Sequence, residues 1–283
     1  MRTVDRGQPA HGEPAIARIL VTNDDGIYAP GLWALVDAVS YLGEVVVIAP
    51  DREQSGIGAA ISLHHPLRLS KLRMPAHPEI DTYAVQGTPG DCVILGLQNI
   101  MKDGVDLVVS GVNDGANLGN DVLISGTVGG AMQGYFAGIP AIAVSAAWKT
   151  TDFRPAARVA AVLADFILSE RLPSEVLLNV NVPDRPLDRM SGIAVTTLAR
   201  QTYVDVIEQT EDARGRMIYW ITRGRATTDE FEPGTDIWAM RNHYISITPL
   251  QSDLASREQF ELLEELIPAL RQHLLAPLPV LED

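Results

Sequence analysis

The sequence predicts an α/β protein: a mostly parallel sheet with helices on both faces, followed by an extended β-hairpin and a C-terminal helix. Three observations carry this expectation. Short apolar runs rich in β-branched residues alternate with stretches of helical periodicity from residue 19 to residue 183, as expected for strands buried on both faces and joined by helical crossovers. Beyond about Ile193 that alternation gives way to extended segments. The 283 residues, 46% of them hydrophobic, provide enough apolar surface for a large core.

The elements follow in order. The first fifteen residues, "MRTVDRGQPAHGEPA", are polar, contain Pro and Gly, and lack the apolar centre of a signal peptide. Residues 1–17 therefore read as a loose extension. "ILVT" (19–22) is a strand; after the "NDDG" turn, Pro30 opens a helix with Leu32, Leu35, Val36 and Val39 at helical spacing. "EVVVIAP" (44–50) is a second strand, residues 90–101 a helix and "VDLVVSG" (105–111) a buried strand. Residues 126–138 form a Gly/Ala-rich helix, 140–146 a strand, 155–170 a helix and 174–183 another strand. Residues 216–225 and 235–250 read as extended, hairpin-like strands, and 257–275 as an amphipathic terminal helix. Residues 18–192 are thus the expected catalytic core, and 193–283 an appendage for assembly or site closure within one functional domain.

Charge and cysteine content exclude several classes. The 22 Lys and Arg against 36 Asp and Glu leave a net charge of −14, which repels nucleic-acid polymers and anionic membranes. An anionic small substrate needs a local positive charge, and a divalent cation is the obvious supplier. Cys92 is the single cysteine, so neither an intrachain disulfide nor a multi-thiolate zinc site can form. No apolar run approaches the roughly 20 residues that span a bilayer. The expectation is a cytoplasmic protein.

Three polar loops fall at the carboxyl ends of strands, where parallel α/β sheets bind ligands. In "TNDDG", Asp24 and Asp25 lie side by side after a buried strand. An Asx turn and a helix cap explain one aspartate; two adjacent anions are better explained by a shared hard cation, Mg²⁺ or Mn²⁺ rather than Zn²⁺ given the oxygen-rich surroundings. In "PDREQSG", Ser55 either forms an ordinary turn with Gly56 or lends its hydroxyl to the same cation. The pattern Gly56-Ile57-Gly58 lacks the third glycine of a dinucleotide fingerprint, and no Walker lysine motif exists. "SGVNDGANLGND" (110–121) holds three Gly and three Asn, residues suited to neutral ligation and to anion-binding backbone nests. It leads to "SGTVGGAM", small hydroxyl residues just before a helix, which serve as caps, as a phosphate cradle, or as both. His64 and His65 point to opposite faces if extended, and Cys92, Trp238 and Tyr244 read as packing.

At this point the chain resembles the SurE family of survival proteins, metal-dependent nucleotidases and acid phosphatases. The resemblance rests on six motifs in order: "TNDDGIYAPGL", "APDREQSG", "GTPGDCV", "SGVNDGANLG", "SGTVGGAM", and "EPGTD" with "ISITPL". It implies metal ligands at Asp24, Asp25, Ser55 and Asn113, with one divalent cation per subunit. It implies phosphate-binding residues at Asn117, Ser125, Gly126 and Thr127, and catalytic work by Asp24 and Asp25. The implied fold is Rossmann-like, with hairpin and C-terminal helix exchanged between subunits of a homodimer or homotetramer. The implied activity is hydrolysis of nucleoside 5′- and 3′-monophosphates, and often polyphosphate; the rival reading is a metal-dependent nucleotide sensor without turnover. Ala59 and Ala60 depart from the family pattern, which carries polar side chains there.

Overall fold

The computed structural model of the chain describes residues 16–200, 205–223 and 231–275. Two compact units divide it, 1–250 and 251–283. In the first, nine strands form one sheet. β1 (Ala17–Thr22) lies at its middle, followed in the chain by α1 (Pro30–Val39), β2 (Gly43–Pro50), β3 (Leu69–Met74), β4 (His77–Val85) and α2 (Pro89–Leu95). Then come β5 (Leu107–Asp114), α3 (Gly126–Phe136), β6 (Ala141–Ala146), α4 (Arg154–Leu168), β7 (Leu177–Val182) and β8 (Gly192–Val195). β9 (Asp205–Glu211) and β10 (Met217–Arg223) make a separate hairpin; α5 (Asp236–Arg241) and β11 (Tyr244–Leu250) complete the unit.

Strand order in the sheet is β3-β4-β2-β1-β5-β6-β7-β11-β8. The run from β4 to β7 is parallel, while β3 and β11 pair antiparallel with β4 and β7. From β1 the chain winds outward through β2 to one edge and returns to β5 for the other. β1 and β5 therefore flank the switch point at which such sheets hold ligands.

The alternation within β1 builds the layers. Ile19 and Val21 point into a core under α1 and α4, and Leu20 into a second core under α2 and α3. Ile19, Leu20 and Leu32 are fully buried, each stabilising the fold by about 1.5–3 kcal/mol relative to exposure. α1 starts with Pro30 in its first turn and buries Leu32, Leu35, Val36 and Val39, as their spacing requires.

Some expectations need correction. Residues 235–250 are not one extended strand: Thr235 caps α5, its side chain accepting from the Trp238 N–H, and only Tyr244–Leu250 is β. The "TDIWAMR" segment carries a cap, an acid in the first turn and a base in the last; these helix signals outweigh its aromatic and β-branched content. β11 joins the main sheet, and the hairpin partner of β10 is the unforeseen β9. Of the strand expected over 216–225, Gly224 and Arg225 lie outside the described residues. The helix expected over 90–101 ends at Leu95 and continues as a π-helical turn over Gly96–Ile100. β3 and β4 were not foreseen, because at the sheet edge their charged residues stay solvated and obscure the apolar pattern. Residues 1–15 of the expected extension lie outside the described residues, and Ala17 already belongs to β1, paired with Gly43.

The second unit contains the expected terminal helix, α6 (Arg257–Leu275), with Pro268 inside it. Among the described residues no helix is long and apolar enough to cross a membrane.

Candidate active site

Three loops at the carboxyl ends of β1, β2 and β5 are strapped together by backbone bonds. The Gln54 N–H donates to Asp24 O at 2.7 Å, the Ile27 N–H to Pro50 O at 2.8 Å and the Gly58 N–H to Ile124 O at 2.8 Å. Inside the first loop, Asn23 Nδ2 donates to Gly26 O at 3.0 Å. Gly26 holds φ +98°, and a Cβ there would sit 3.1 Å from the Arg52 backbone, so only glycine lets the two loops meet.

Their meeting opens a cavity of about 780 Å³, lined among others by Asp24, Ser55, Asn113, Asn117 and Ser125. This is within the range of small-molecule sites. Five of the eight residues expected at the site thus face one space. The other three adjoin it: Asp25 accepts from the Asp114 N–H at 3.2 Å, a Cβ on Gly126 would lie 2.8 Å from Asp24 Oδ2, and Thr127 donates its hydroxyl to Asp24 Oδ1. Another cavity, of about 610 Å³, lies at the opposite, amino ends of the strands beside Ala17, Asp106 and Ser174.

The carboxylates are under electrostatic stress. Asp24 is buried, and that burial pushes its pKa above the usual carboxylate range despite the opposing hydrogen bond from Thr127. Asp25 is pushed up to about 6, first by burial and then by the charge of Asp24. No Lys, Arg or His among the described residues forms an ion pair with either. The cavity lining adds Asp114 and Asp121 and, among the described residues, includes no basic side chain. A buried acid and its half-buried neighbour, without a cationic side chain among the described residues and next to the neutral oxygens of Ser55 and Asn113, suit a hard divalent cation. Asn113 Nδ2 donates to Gly115 O at 2.6 Å, leaving its Oδ1 as the available ligand atom. Ser55 is exposed and its hydroxyl bonds Glu53 Oε1 at 2.9 Å, an interaction it would exchange on ligation. Among the described residues no three His, Cys, Asp or Glu side chains gather as a metal cluster.

The anion side is built by α3. Ser125 is its N-cap, accepting from the Val128 N–H at 3.2 Å, and lines the cavity at the N-terminus of that helix. Thr127 is fully buried and bonds Asp24 through both its hydroxyl and its backbone N–H. It therefore orients the acid in addition to any role at phosphate. Asn117 is held with unusual completeness. Its N–H donates to Asn181 Oδ1 at 2.8 Å, its carbonyl accepts from Asn179 and Asn181 at 2.9 and 3.1 Å, and its amide donates to Ser145 Oγ at 2.9 Å.

Ser145, Asn179 and Asn181 were missed as functional residues. Their signal was present, since two asparagines two apart in the buried run "LLNVNV" must share one face of a strand. Asp236, from the "EPGTD" motif, is likewise supportive: its carboxylate accepts from the N–H groups of Gly119, Ala199 and Ile237. His64 and His65 are exposed and stand outside the cavity. Cys92 is buried packing with its thiol pKa pushed well up by desolvation, and Trp238 stacks on Tyr244 at 5.6 Å.

The fold and this site define an α/β protein with an acidic cavity at its topological switch point. The family described as "Survival protein SurE" matches residues 19–205. The chain is 46% identical over 248 residues to the 5′-nucleotidase SurE of Dehalococcoides mccartyi (strain CBDB1), covering 87% of this chain and 92% of that protein. It is 45% identical to the 5′-nucleotidase SurE of Vibrio cholerae serotype O1 (El Tor Inaba N16961), covering 87% and 96%. The crystal structure of the SurE protein from Aquifex aeolicus superposes with a TM-score of 0.76 at 39% identity, covering 88% of this chain and 99% of that one. The chain belongs to the SurE family.

Proposed function

We propose that this protein is a divalent-metal-dependent phosphomonoesterase that hydrolyses nucleoside 5′- and 3′-monophosphates to nucleoside and phosphate, with polyphosphate as a further substrate. The observation that carries the reading is the Asp24–Asp25 pair, sequestered without a cationic side chain beside the N-terminus of α3. Asp24, Asp25, Ser55 and Asn113 would hold one Mg²⁺ or Mn²⁺. Such an ion, when bound, neutralises charge on the phosphoryl oxygens and acidifies a bound water. Asn117, Ser125, Gly126 and Thr127 would orient the remaining oxygens through hydrogen bonds, Thr127 by exchanging one of its bonds to Asp24. Asp24, its orientation set by Thr127, serves as general base.

The alternative, a nucleotide sensor without turnover, has no observation in its favour. Phosphate release from AMP with Mn²⁺ decides between them. Wild type releases phosphate, and Asp24→Asn loses about 10³-fold or more in kcat with its folding transition retained. Tight AMP binding without release refutes the proposal, as does an Asp24→Asn variant near full rate.

Exposed apolar surface supports a homodimer or homotetramer built through residues 193–283. An isolated two-stranded ribbon is marginal in water, yet β9–β10 exposes Ile207, Tyr219, Trp220 and Ile221. α6 likewise exposes Leu263, Leu266, Ile267 and Leu270 at helical spacing. Light scattering that returns a monomer would refute this assembly. The single cysteine fits a cytoplasmic setting.

A further inference from the structure

We infer that Trp148 is the platform on which the substrate's nucleobase stacks, and that it makes this site favour nucleotides, purines above all, over phosphomonoesters without a base. The inference rests on the nucleotidase reading and adds to it the element that recognises the nucleoside end.

Trp148 borders the same cavity as Asp24 and Asn113. The rest of that lining is mainly polar or small, yet Trp148 is 73% exposed, an uncommon disposition for the largest apolar side chain. Mobility does not explain it, because the turn that carries it is pinned. The Thr150 N–H closes the turn onto Ala147 O at 3.2 Å, and the Ala147 N–H donates to Val182 O at 3.0 Å. Thr150 Oγ1 donates to Asp184 Oδ1 at 2.9 Å. Between them Lys149 adopts φ 63°, a left-handed conformation that a non-glycine residue holds only when its surroundings impose it.

The fixing extends to the acidic pole. The Lys149 N–H donates to Asp114 Oδ1 at 2.9 Å, and the Asp114 N–H donates to Asp25 Oδ2 at 3.2 Å. Two hydrogen bonds therefore link the turn holding the indole to the carboxylate pair proposed for the metal. A ligand whose phosphate is held at one end meets an aromatic face set at the other, with about 780 Å³ between and around them. The Lys149 ammonium lies 4.7 Å from the indole centroid, occupying one face as a cation–π partner. The opposite face is left for a planar ligand. Purines, with the larger π-surface, gain more there than pyrimidines.

The test compares kcat/KM with Mn²⁺ for AMP, CMP and ribose 5-phosphate in wild type, Trp148→Ala and Trp148→Phe. Wild type prefers AMP to CMP and CMP to ribose 5-phosphate. In Trp148→Ala the AMP to ribose 5-phosphate ratio falls about tenfold or more, chiefly through KM, whereas Trp148→Phe keeps most of it. AMP also quenches the intrinsic fluorescence of wild type, and the quench is absent from Trp148→Ala. A Trp148→Ala variant that lowers both substrates alike, leaving the ratio within twofold, overturns the inference; that result would mark a structural or subunit-contact role. If wild type hydrolyses neither substrate, the nucleotidase reading falls, and the fluorescence titration alone decides the platform.

Discussion

Gly126→Ala tests how tightly α3 and Asp24 are fitted. Gly126 opens α3 with no left-handed φ, so alanine suits its backbone and only space is at issue. Its Cβ would lie 2.8 Å from both Asp24 Cβ and Asp24 Oδ2, and 3.1 Å from Gln54 O. Carbon contacts settle at about 3.5–4.0 Å, so Asp24 or the start of α3 must yield by several tenths of an ångström to one. Overpacking of this kind costs about 1–3 kcal/mol, offset by up to about 1 kcal/mol from the better helix former. The remainder, about 0–2 kcal/mol at full offset, lowers Tm by at most about 8 °C in a unit of this size. A catalytic acid displaced by about 1 Å loses on the order of 10²-fold in rate, so activity falls far more than stability. The assay pairs Mn²⁺-dependent phosphate release from AMP with a thermal melt. Gly130→Ala is the comparison, since its Cβ meets Ser110 Oγ at 3.1 Å and Pro89 and Thr22 at 3.2 Å, none of them a proposed ligand. It should melt early yet keep activity within a few-fold. Full kcat/KM in Gly126→Ala, or equal losses in both variants, would refute the reasoning.

Two predictions follow from Asp25. Its folded pKa of about 6 stands above the ordinary 3.8, so the folded state binds this proton more tightly. That contribution favours folding below about pH 4 and is lost as pH rises through 6, at most about 3 kcal/mol and less because Asp25 is partly solvated. In EDTA, wild type should lose more Tm than Asp25→Asn between pH 4 and pH 7; parallel curves would contradict the shift. Cation binding needs the ionised carboxylate, so calorimetric Mn²⁺ affinity should weaken about tenfold per pH unit below 6 if a single proton is displaced. An affinity constant from pH 7.5 to 5 would remove Asp25 from the ligand set.

The parts legible in the sequence were those written in adjacent residues. β1, α1, β2 and α3 announce themselves by apolar period, and the Asp24–Asp25 pair by its improbability as a mere turn. The parts that stayed hidden depend on pairings across the chain. Nothing local connects Asp114 to Lys149, or Asn117 to Asn179 and Asn181, yet these bonds bridge 35, 62 and 64 positions. The segment 235–250 failed for the opposite reason. Its aromatic and β-branched content suited a strand, and the Thr235 cap and the charges flanking α5 decided otherwise. Segments 69–74 and 77–85 escaped because an edge hairpin can remain half polar.

The motifs divide by the work their carboxylates do, a division that spacing could not reveal. In "TNDDG" the acids lack counter-charges and invite a cation. In "GTPGDC" and "EPGTD" the acids are as buried but fully engaged by backbone. Asp91 accepts from the Thr88 and Ser62 N–H groups and from the Ser62 hydroxyl, which closes the capping box of α2 and moors the loop beyond Ser55. Asp236 does the same for the turn at Gly119. A buried carboxylate that receives several hydrogen bonds is a stable structural element, whereas one that also faces a like charge with no counter-ion is held at a cost. Both kinds converge on one cavity: Asp91 and Asp236 fix loops beside the pair of like charges at Asp24 and Asp25. That arrangement explains why a chain of net charge −14 concentrates further negative charge where an anionic substrate must enter. On the proposed reading, the pair would hold the cation, and the cation would offset the charge of the incoming phosphate.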